Sequence, residues 1–161
     1  MPDSRKTCQR CTATTKSGQR CKNRTCRGKQ CWQHLKKEQG LRVKQSEIAG
    51  AGFGLFTTKP FRKNQKIANY TGENLSRAAI DIRYPGNTRG EYVLCDGDRP
   101  NSRCVDGRKT NSSAARFAND ARGTNKRNNA RFLQRGFGIK AKQNIPAGQE
   151  ILVSYGRDYW R

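Results

Sequence analysis

Short apolar runs follow one another from Val43 onward, separated by Gly, Asn and Pro residues. Runs of about 4–6 apolar-rich residues between such turn-forming residues are typical of β-strands. Six runs fit: residues 54–58, 66–71, 91–95, 131–134, 138–142 and 150–155. Residues 76–83 and 111–117 have a brief helical pattern instead. The sequence therefore predicts a mainly β fold of short strands.

The chain before residue 41 has a different pattern. Trp32 and Leu35 are its main large apolar residues, so this segment cannot be stabilised by an apolar core and needs a cross-link such as a bound metal. The polar run over residues 36–40 ends at Gly40, a residue that often terminates helices. We therefore predict two domains: a cysteine-rich module over residues 1–41 and a larger domain over residues 42–161.

Charge indicates the kind of partner. Lys and Arg number 34 and Asp and Glu 12, so the formal net charge is +22, and half of it lies in residues 1–44. A chain this basic is typical of proteins that contact nucleic acid or nucleosomes without base specificity. A role in solubility and attraction to acidic membranes are the other interpretations. The length of 161 residues excludes a TIM barrel or a two-lobed kinase.

No run of residues has the apolar length of a signal peptide or a membrane span. We therefore expect an intracellular protein without membrane contact. Thiols stay reduced inside most cells, so clustered cysteines are expected to bind metal rather than to form disulfides.

Six candidate metal ligands lie close together near the N-terminus. They are Cys8, Cys11, Cys21, Cys26, Cys31 and His34. Zinc takes four such ligands in a tetrahedron, and the Cys31-x2-His34 spacing lets one turn of chain supply two. A set of Cys8, Cys11, Cys31 and His34 is one possibility, and a disordered basic tail is another.

The run from Cys11 to Cys21, followed by Cys31-Trp-Gln-His34, resembles a small zinc-binding motif of the pattern C-x-x-x-T-K-x-G-x-x-C…C-x-x-H. That resemblance favours Cys11, Cys21, Cys31 and His34 as the ligands of a structural Zn²⁺. Cys8 and Cys26 then remain as alternates.

Four motifs follow in order in the larger domain. They are Ala51-Gly-Phe-Gly-Leu-Phe56, Tyr70-Thr-Gly-Glu73, Arg116-Phe-Ala-Asn-Asp120 with Asn129, and Gly148-Gln-Glu-Ile-Leu-Val-Ser-Tyr155-Gly156. Each alone is explained by a turn or a strand end. Together they resemble the motifs of the SET domain, a β-rich family of protein lysine methyltransferases that use S-adenosyl-L-methionine. The resemblance covers Val43 to Trp160 and implies that the last segment threads through a loop as a pseudoknot.

The resemblance also implies the site residues. Contacts to the cofactor are expected from Gly52, Phe53, Gly54, Arg116, Phe117, Asn119, Asp120, Tyr155 and Trp160. Tyr155 is the first candidate for the catalytic phenol and Tyr70 the second. The substrate channel is expected to be lined by Tyr92, Phe132 and Val153. Because Phe132 and Val153 carry no hydroxyl in the amine pocket, we expect di- or trimethylation.

Two positions depart from the family pattern. Asp120 stands where the family has histidine, and Asn128 stands where it has proline. Backbone contacts at Asp120 are expected to survive the change. Tyr159 and Trp160 are expected to cap the adenine or to wall the lysine channel.

The resulting interpretation is a protein lysine N-methyltransferase that acts on histone tails and is docked on chromatin in the nucleus by its zinc module. Its compactness resembles that of proteins from large DNA viruses and algae, so a viral enzyme acting in a host cell is one expectation. The alternatives are a catalytically inactive SET scaffold that binds nucleic acid or chromatin, and a methyltransferase of non-histone proteins.

Four acidic residues give a further indication of the substrate. Glu91, Asp96, Asp98 and Asp106 lie within sixteen positions, next to a predicted strand. They are expected either to receive a basic histone tail or merely to offset the neighbouring arginines.

Overall fold

The computed structural model describes residues 8–86, 92–109, 112–133 and 135–160. The strands are β1 Gln9–Arg10, β2 Arg24–Thr25, β3 Leu41–Gln45, β4 Phe53–Thr57, β5 Lys66–Asn69, β6 Glu73–Ser76, β7 Val93–Cys95, β8 Arg103–Asp106, β9 Ala130–Leu133 and β10 Gly138–Ala141. The helical elements are α1 Trp32–His34, a π-helical turn Leu35–Gln39, α2 Arg77–Arg83, and 3₁₀ turns Ala114–Phe117 and Arg157–Trp160. None of the described helices is long and apolar enough to cross a membrane.

Small antiparallel sheets make up the described β structure. β3 pairs with β4, β5 and β9 flank β10, and β6 and β7 flank β8. β1 and β2 form a separate ribbon in the cysteine-rich module. The prediction of a mainly β fold is confirmed.

The apolar faces of these strands build one main core. Leu41, Leu55, Ile139 and Ile151 have no exposed surface. Burying side chains of this size stabilises the fold by roughly 1.5–3 kcal/mol each. Leu35, on the N-terminal side of the predicted boundary, packs in the same core. The cysteine-rich module is therefore joined to the larger domain by shared packing as well as by the chain.

The two predicted helices differ in outcome. α2 begins after Ser76, whose Oγ accepts a hydrogen bond from the Ala79 N–H at 3.2 Å, so the prediction over residues 76–83 is confirmed. The prediction over residues 111–117 reduces to the 3₁₀ turn at Ala114–Phe117, and Asn111 lies outside the described residues.

The predicted strand over residues 150–155 is wrong, because this segment belongs to none of the sheets and makes only isolated bridges. On one side the Ile151 N–H donates to the Leu55 carbonyl at 2.7 Å. On the other side the Val153 N–H donates to the Asn119 carbonyl at 2.8 Å. The segment is extended and runs between two parts of the chain, which is the threading that the resemblance implied.

The buried Asn129 side chain holds the threaded segment. Its Nδ2 donates to the Glu150 carbonyl at 2.8 Å, and its Oδ1 accepts from the Leu152 N–H at 3.0 Å. One side-chain amide thus pairs with the backbone on both sides of Ile151, as a neighbouring strand would.

Two disulfide bonds contradict the expectation that the cysteines stay reduced. Cys8 is bonded to Cys26 beside the β1–β2 ribbon. Cys95 is bonded to Cys104, its direct partner across β7 and β8. Which cysteines face each other depends on strand register, so spacing along the chain could not reveal these pairs.

Candidate active site and metal site

The metal-site candidates converge in the cysteine-rich module. The ligand atoms of Cys11, Cys21, Cys31 and His34 all lie within 4.8 Å of one another. Cys11 Sγ lies 3.7 Å from His34 Nδ1, and Cys31 Sγ lies 3.3 Å from it. Ligands of a tetrahedral zinc are about 3.8 Å apart when the Zn–S bond is about 2.3 Å, so this donor set fits the ion.

The structure decides between the two ligand sets that the spacing left open. Cys8 is bonded to Cys26, so neither alternate sulfur is available to a metal. Cys21 completes the cluster instead. Its three cysteines are buried, so the cluster replaces an apolar core in this part of the chain.

Hydrogen bonds prepare one sulfur of this cluster for metal binding. Burial raises the pKa of the Cys31 thiol, but hydrogen bonds from His34 and Asn23 outweigh it and bring the pKa to about 6. The thiolate is the form that binds zinc.

Two predicted catalytic phenols flank one small cavity in the larger domain. Its volume is about 70 Å³, and it is lined by Tyr70, Val93, Leu94, Arg116, Ala118, Phe132, Tyr155 and Tyr159. The Tyr155 hydroxyl donates to the Ala118 carbonyl at 2.9 Å, and the Tyr70 hydroxyl donates to the Tyr92 carbonyl at 2.9 Å. Both phenols are therefore fixed in orientation.

Burial raises the pKa of Tyr70 and of Tyr155 far above the usual value. Both side chains are protonated at neutral pH, so neither acts as a phenolate base. Because each O–H proton is committed to a carbonyl, the oxygen lone pairs remain as acceptors.

Phe132 lies between the two tyrosines. Its ring centroid is 5.9 Å from that of Tyr70 and 6.4 Å from that of Tyr155. Of the other predicted channel residues, Tyr92 contributes its carbonyl to Tyr70, whereas Val153 is fully buried in the core and does not line the cavity. Val93 and Leu94 line it but were not predicted, because an apolar strand residue gives no sign of which cavity it faces.

Arg116 ties the cavity to the adjacent loop. Its Nη1 donates to the carbonyls of Gly107, Arg108 and Lys109 at 2.9–3.3 Å. Burial lowers the pKa of the guanidinium, and its Nε has no hydrogen-bond partner among the described residues. The side chain thus holds the loop over residues 107–109.

The glycine motif brings the backbone close to a buried carboxylate. A Cβ atom at Gly54 would collide with Glu150, so only glycine fits there. Glu150 Oε1 accepts hydrogen bonds from Ser46 Oγ at 2.6 Å and from Asn119 Nδ2 at 3.1 Å, and its Oε2 accepts from the Glu47 N–H at 2.9 Å. Sequence reasoning missed Glu150, although it lies within the last motif.

Asn119 joins this carboxylate to the glycine motif. Its Nδ2 also donates to the Phe53 carbonyl at 3.0 Å. At Gly52 the backbone is left-handed, with φ of 70°, and a Cβ atom there would meet nothing within 4 Å. The loop therefore presents open backbone to solvent beside Asn119, as expected of a site that a ligand approaches closely.

The Asp120 carboxylate accepts four hydrogen bonds from the protein. Oδ1 accepts from the Arg122 N–H at 2.9 Å and from Asn128 Nδ2 at 3.1 Å, and Oδ2 accepts from the Tyr155 N–H at 2.8 Å and from Trp160 Nε1 at 3.2 Å. Burial raises the pKa of this carboxyl, but these donors outweigh it and hold the pKa below its usual value. The side chain fastens the C-terminal segment instead of facing a ligand.

Two exposed aromatic rings border the predicted cofactor residues. Phe53 is 38% exposed and Trp160 is 45% exposed. The Phe53 backbone carbonyl accepts a hydrogen bond from Asn119 Nδ2, and Trp160 Nε1 donates to Asp120, so both residues are bonded to the same motif. Phe117 packs edge-on against Phe53, with ring centroids 6.3 Å apart. Exposed aromatic surface beside open backbone fits an adenosine cofactor, which needs both stacking surfaces and amide contacts.

The acidic residues near β7 do not form a free receptor for a basic peptide. Asp96 pairs with Arg103 at 3.1 Å, Asp98 with Arg77 at 3.1 Å, and the buried Asp106 with Arg83 at 2.9 Å. Glu91 lies outside the described residues. Of the two expectations, the one in which these acids offset arginines is confirmed for the three described residues, although the partners of Asp98 and Asp106 come from α2.

Comparison with known proteins gives one family match. The model of the family described as SET domain matches residues 52–156. No curated protein matches the chain.

Proposed function

The chain belongs to the SET-domain family of protein lysine methyltransferases, and we propose that it transfers methyl groups from S-adenosylmethionine to lysines of basic proteins, histone tails first among them. The observation that carries the proposal is the small cavity flanked by Tyr70 and Tyr155, whose hydroxyls are both fixed by backbone carbonyls.

The reaction requires a neutral amine. A free lysine has a pKa of about 10.4 and is an ammonium at neutral pH. Phe132, Val93 and Leu94 line the cavity with apolar surface, which disfavours the ammonium by desolvation. Arg116 adds a positive charge at the same wall, which acts in the same direction. The chain therefore supplies an environment that lowers the lysine pKa without a dedicated base.

The phenols orient the amine. Tyr155 and Tyr70 direct their O–H groups away to carbonyls, so their oxygens accept from the amine N–H groups and hold its lone pair in one direction. Bound S-adenosylmethionine supplies an electrophilic methyl group on its sulfonium. Fixing the amine in line with that methyl is the main contribution expected of the protein.

The residues expected to hold the cofactor lie beside this cavity. Tyr155 lines it and is fastened through its N–H to Asp120, and Trp160 is fastened to the same carboxylate. The backbone at Gly52 and Phe53 and the ring of Trp160 would hold the cofactor. A lysine entering the cavity would then reach the cofactor past Tyr155.

The wall of the cavity also indicates how many methyl groups the lysine can receive. Phe132 stands between the two tyrosines without a hydroxyl. A hydroxyl there would bind the amine or a water and limit the room for added methyl groups. We therefore propose di- or trimethylation.

Charge supports docking on chromatin. The chain has a net charge of +22, and the cysteine-rich module exposes Lys22, Lys29, Lys36 and Lys37. Contacts of this kind bind phosphates without base specificity. Docking on nucleosomal DNA in the nucleus would bring the cavity close to histone tails. For this reason we favour histone tails over other basic proteins as the substrate.

The test is methylation of core histones, free and as nucleosomes, read by mass spectrometry. We expect di- and trimethylated lysines on a tail, with faster transfer to nucleosomes at low salt. Methylation of extract proteins but not histones would overturn the choice of substrate. No transfer to either would overturn the proposed activity and favour the inactive scaffold.

A further inference from the structure

The cysteine-rich module touches the predicted cofactor loop through one side chain. Arg27 Cζ lies 3.9 Å from the centroid of the Phe53 ring, which is the stacking distance of a guanidinium on an aromatic face. Phe53 is the central residue of the glycine motif. A residue of the metal-stapled segment thus lies at the cofactor site of the other domain.

The next residue fixes the position of Arg27. Gly28 is buried and packs against the stretch from Ser112 to Ala114, where a Cβ atom would lie 3.2 Å from the Ser112 carbonyl oxygen. Its own carbonyl accepts a hydrogen bond from Gln9 Nε2 at 3.2 Å. Cys21 and Cys31 of the metal cluster bracket this loop in the chain. The module's fold therefore holds the backbone next to Arg27 against the larger domain, within reach of Phe53.

The Arg27 guanidinium has no acidic partner among the described residues. The buried Glu150 is enclosed by its own donors, and the nearby Glu47 pairs with Lys126 at 2.7 Å. Contact through the face of the guanidinium leaves the N–H groups at its edge available.

The other candidate donors of the cofactor site are already engaged. Asn119 Nδ2 and Trp160 Nε1 both donate to the protein. Arg116 is bound to three carbonyls. Arg122 lies over the ring of Trp160, at 5.6 Å from its centroid. Arg27 contacts the motif at the exposed Phe53, whereas Lys44 lies over the buried ring of Phe56, 4.0 Å from its centroid.

We propose that Arg27 binds the carboxylate of the methionine end of S-adenosylmethionine, so that the cysteine-rich module forms part of the cofactor site. The planar guanidinium matches a carboxylate in a bidentate pair. This inference rests on the proposed function, since it assumes that the glycine motif binds this cofactor.

The test measures binding by calorimetry with two ligands, S-adenosylmethionine and its decarboxylated analogue. Arg27→Ala is expected to weaken S-adenosylmethionine binding about ten-fold or more, as loss of a charged hydrogen-bonded pair does, and to change binding of the analogue less than two-fold. Arg27→Lys, which keeps the charge but not the fork, is expected to be intermediate. Lys16→Ala removes an exposed charge from the same module and serves as the control, with wild-type affinity expected.

Two results would overturn the inference: equal S-adenosylmethionine affinity in Arg27→Ala and the unaltered protein, or an equal loss for both ligands, which would show that Arg27 only supports the Phe53 loop. Failure of the unaltered protein to bind S-adenosylmethionine would overturn the proposed function and the inference with it. Zinc content and circular dichroism of Arg27→Ala establish that the module is folded.

Discussion

Trp160 Nε1 donates a hydrogen bond to Asp120 Oδ2 at 3.2 Å, and this bond fixes the end of the chain to the motif that the family uses for its cofactor. Asp120 stands where the family has histidine. The same carboxylate oxygen also accepts a hydrogen bond from the Tyr155 N–H at 2.8 Å. One carboxylate therefore positions the proposed catalytic phenol and the proposed adenine cap together.

The exposed ring of Trp160 is expected to stack on the cofactor. Trp160→Ala should weaken binding of S-adenosylhomocysteine by about five-fold or more, because stacking of a base on an aromatic ring contributes about 1–3 kcal/mol. Trp160→Phe keeps a ring but loses the bond to Asp120, so its affinity should lie between those of Trp160→Ala and the unaltered protein. Calorimetry measures all three affinities, and an unchanged affinity in Trp160→Ala would contradict this role.

Asp120 should carry a measurable acid dependence of stability. Its folded pKa lies below the ordinary value of 3.8, so its stabilisation is fully present above that value and is lost as pH falls through the folded pKa. Asp120→Asn cannot accept from all four donors and should lower the free energy of unfolding at pH 7 by about 1–3 kcal/mol. The variant should also lose less stability than the parent between neutral pH and pH below 3.8.

Denaturant unfolding across pH measures both effects. Asp81→Asn, which removes an exposed partner of Arg77, is the control and should change stability at pH 7 by less than about 0.5 kcal/mol. If the free energies of unfolding of Asp120→Asn and the parent differed by the same amount at every pH, the carboxylate charge would have no part in holding Tyr155 and Trp160.

The zinc content of the protein should depend on the four cluster residues and not on the total number of cysteines. Cys21→Ser removes one of the four ligands and should lower the zinc content of the purified protein well below one ion per chain, with loss of structure in the module. The double variant Cys8→Ser/Cys26→Ser removes only the disulfide and should keep its zinc. Atomic absorption distinguishes these, and the reverse pattern would restore the set that includes Cys8.

A hydroxyl added between the two tyrosines should change the product. Phe132→Tyr is expected to shift the enzyme towards monomethylation, because the new hydroxyl would compete for space with added methyl groups. Mass spectrometry of a histone tail at matched turnover shows the distribution. An unchanged distribution would mean that the wall at Phe132 does not set the degree of methylation.

Local signals in the sequence predicted much of this structure. The run from Lys66, the capping Ser76 and the Cys31-x2-His34 pair act through neighbouring residues, so each was predictable from the chain itself. The order of the four motifs carried the rest of the candidate site.

What the sequence could not predict depends on contacts between distant residues. The extended segment at Ile151 has the apolar pattern of a strand, but it meets its backbone neighbours only in isolated bridges, and the Asn129 side chain supplies two further hydrogen bonds. The contact of Arg27 with Phe53 depends on how two domains pack, which no local pattern encodes. Likewise the partners of Asp98 and Asp106 come from α2, a different element.

The central claim is that the Tyr155 hydroxyl orients a lysine for methyl transfer, and Tyr155→Phe tests it most directly. The substitution removes only the hydroxyl that bonds to the Ala118 carbonyl, and S-adenosylhomocysteine affinity and the unfolding midpoint show whether the fold and cofactor site survive. The measurement is the rate of methyl transfer to core histones. We expect this rate to fall to background while the cofactor still binds; transfer at the wild-type rate would contradict the account.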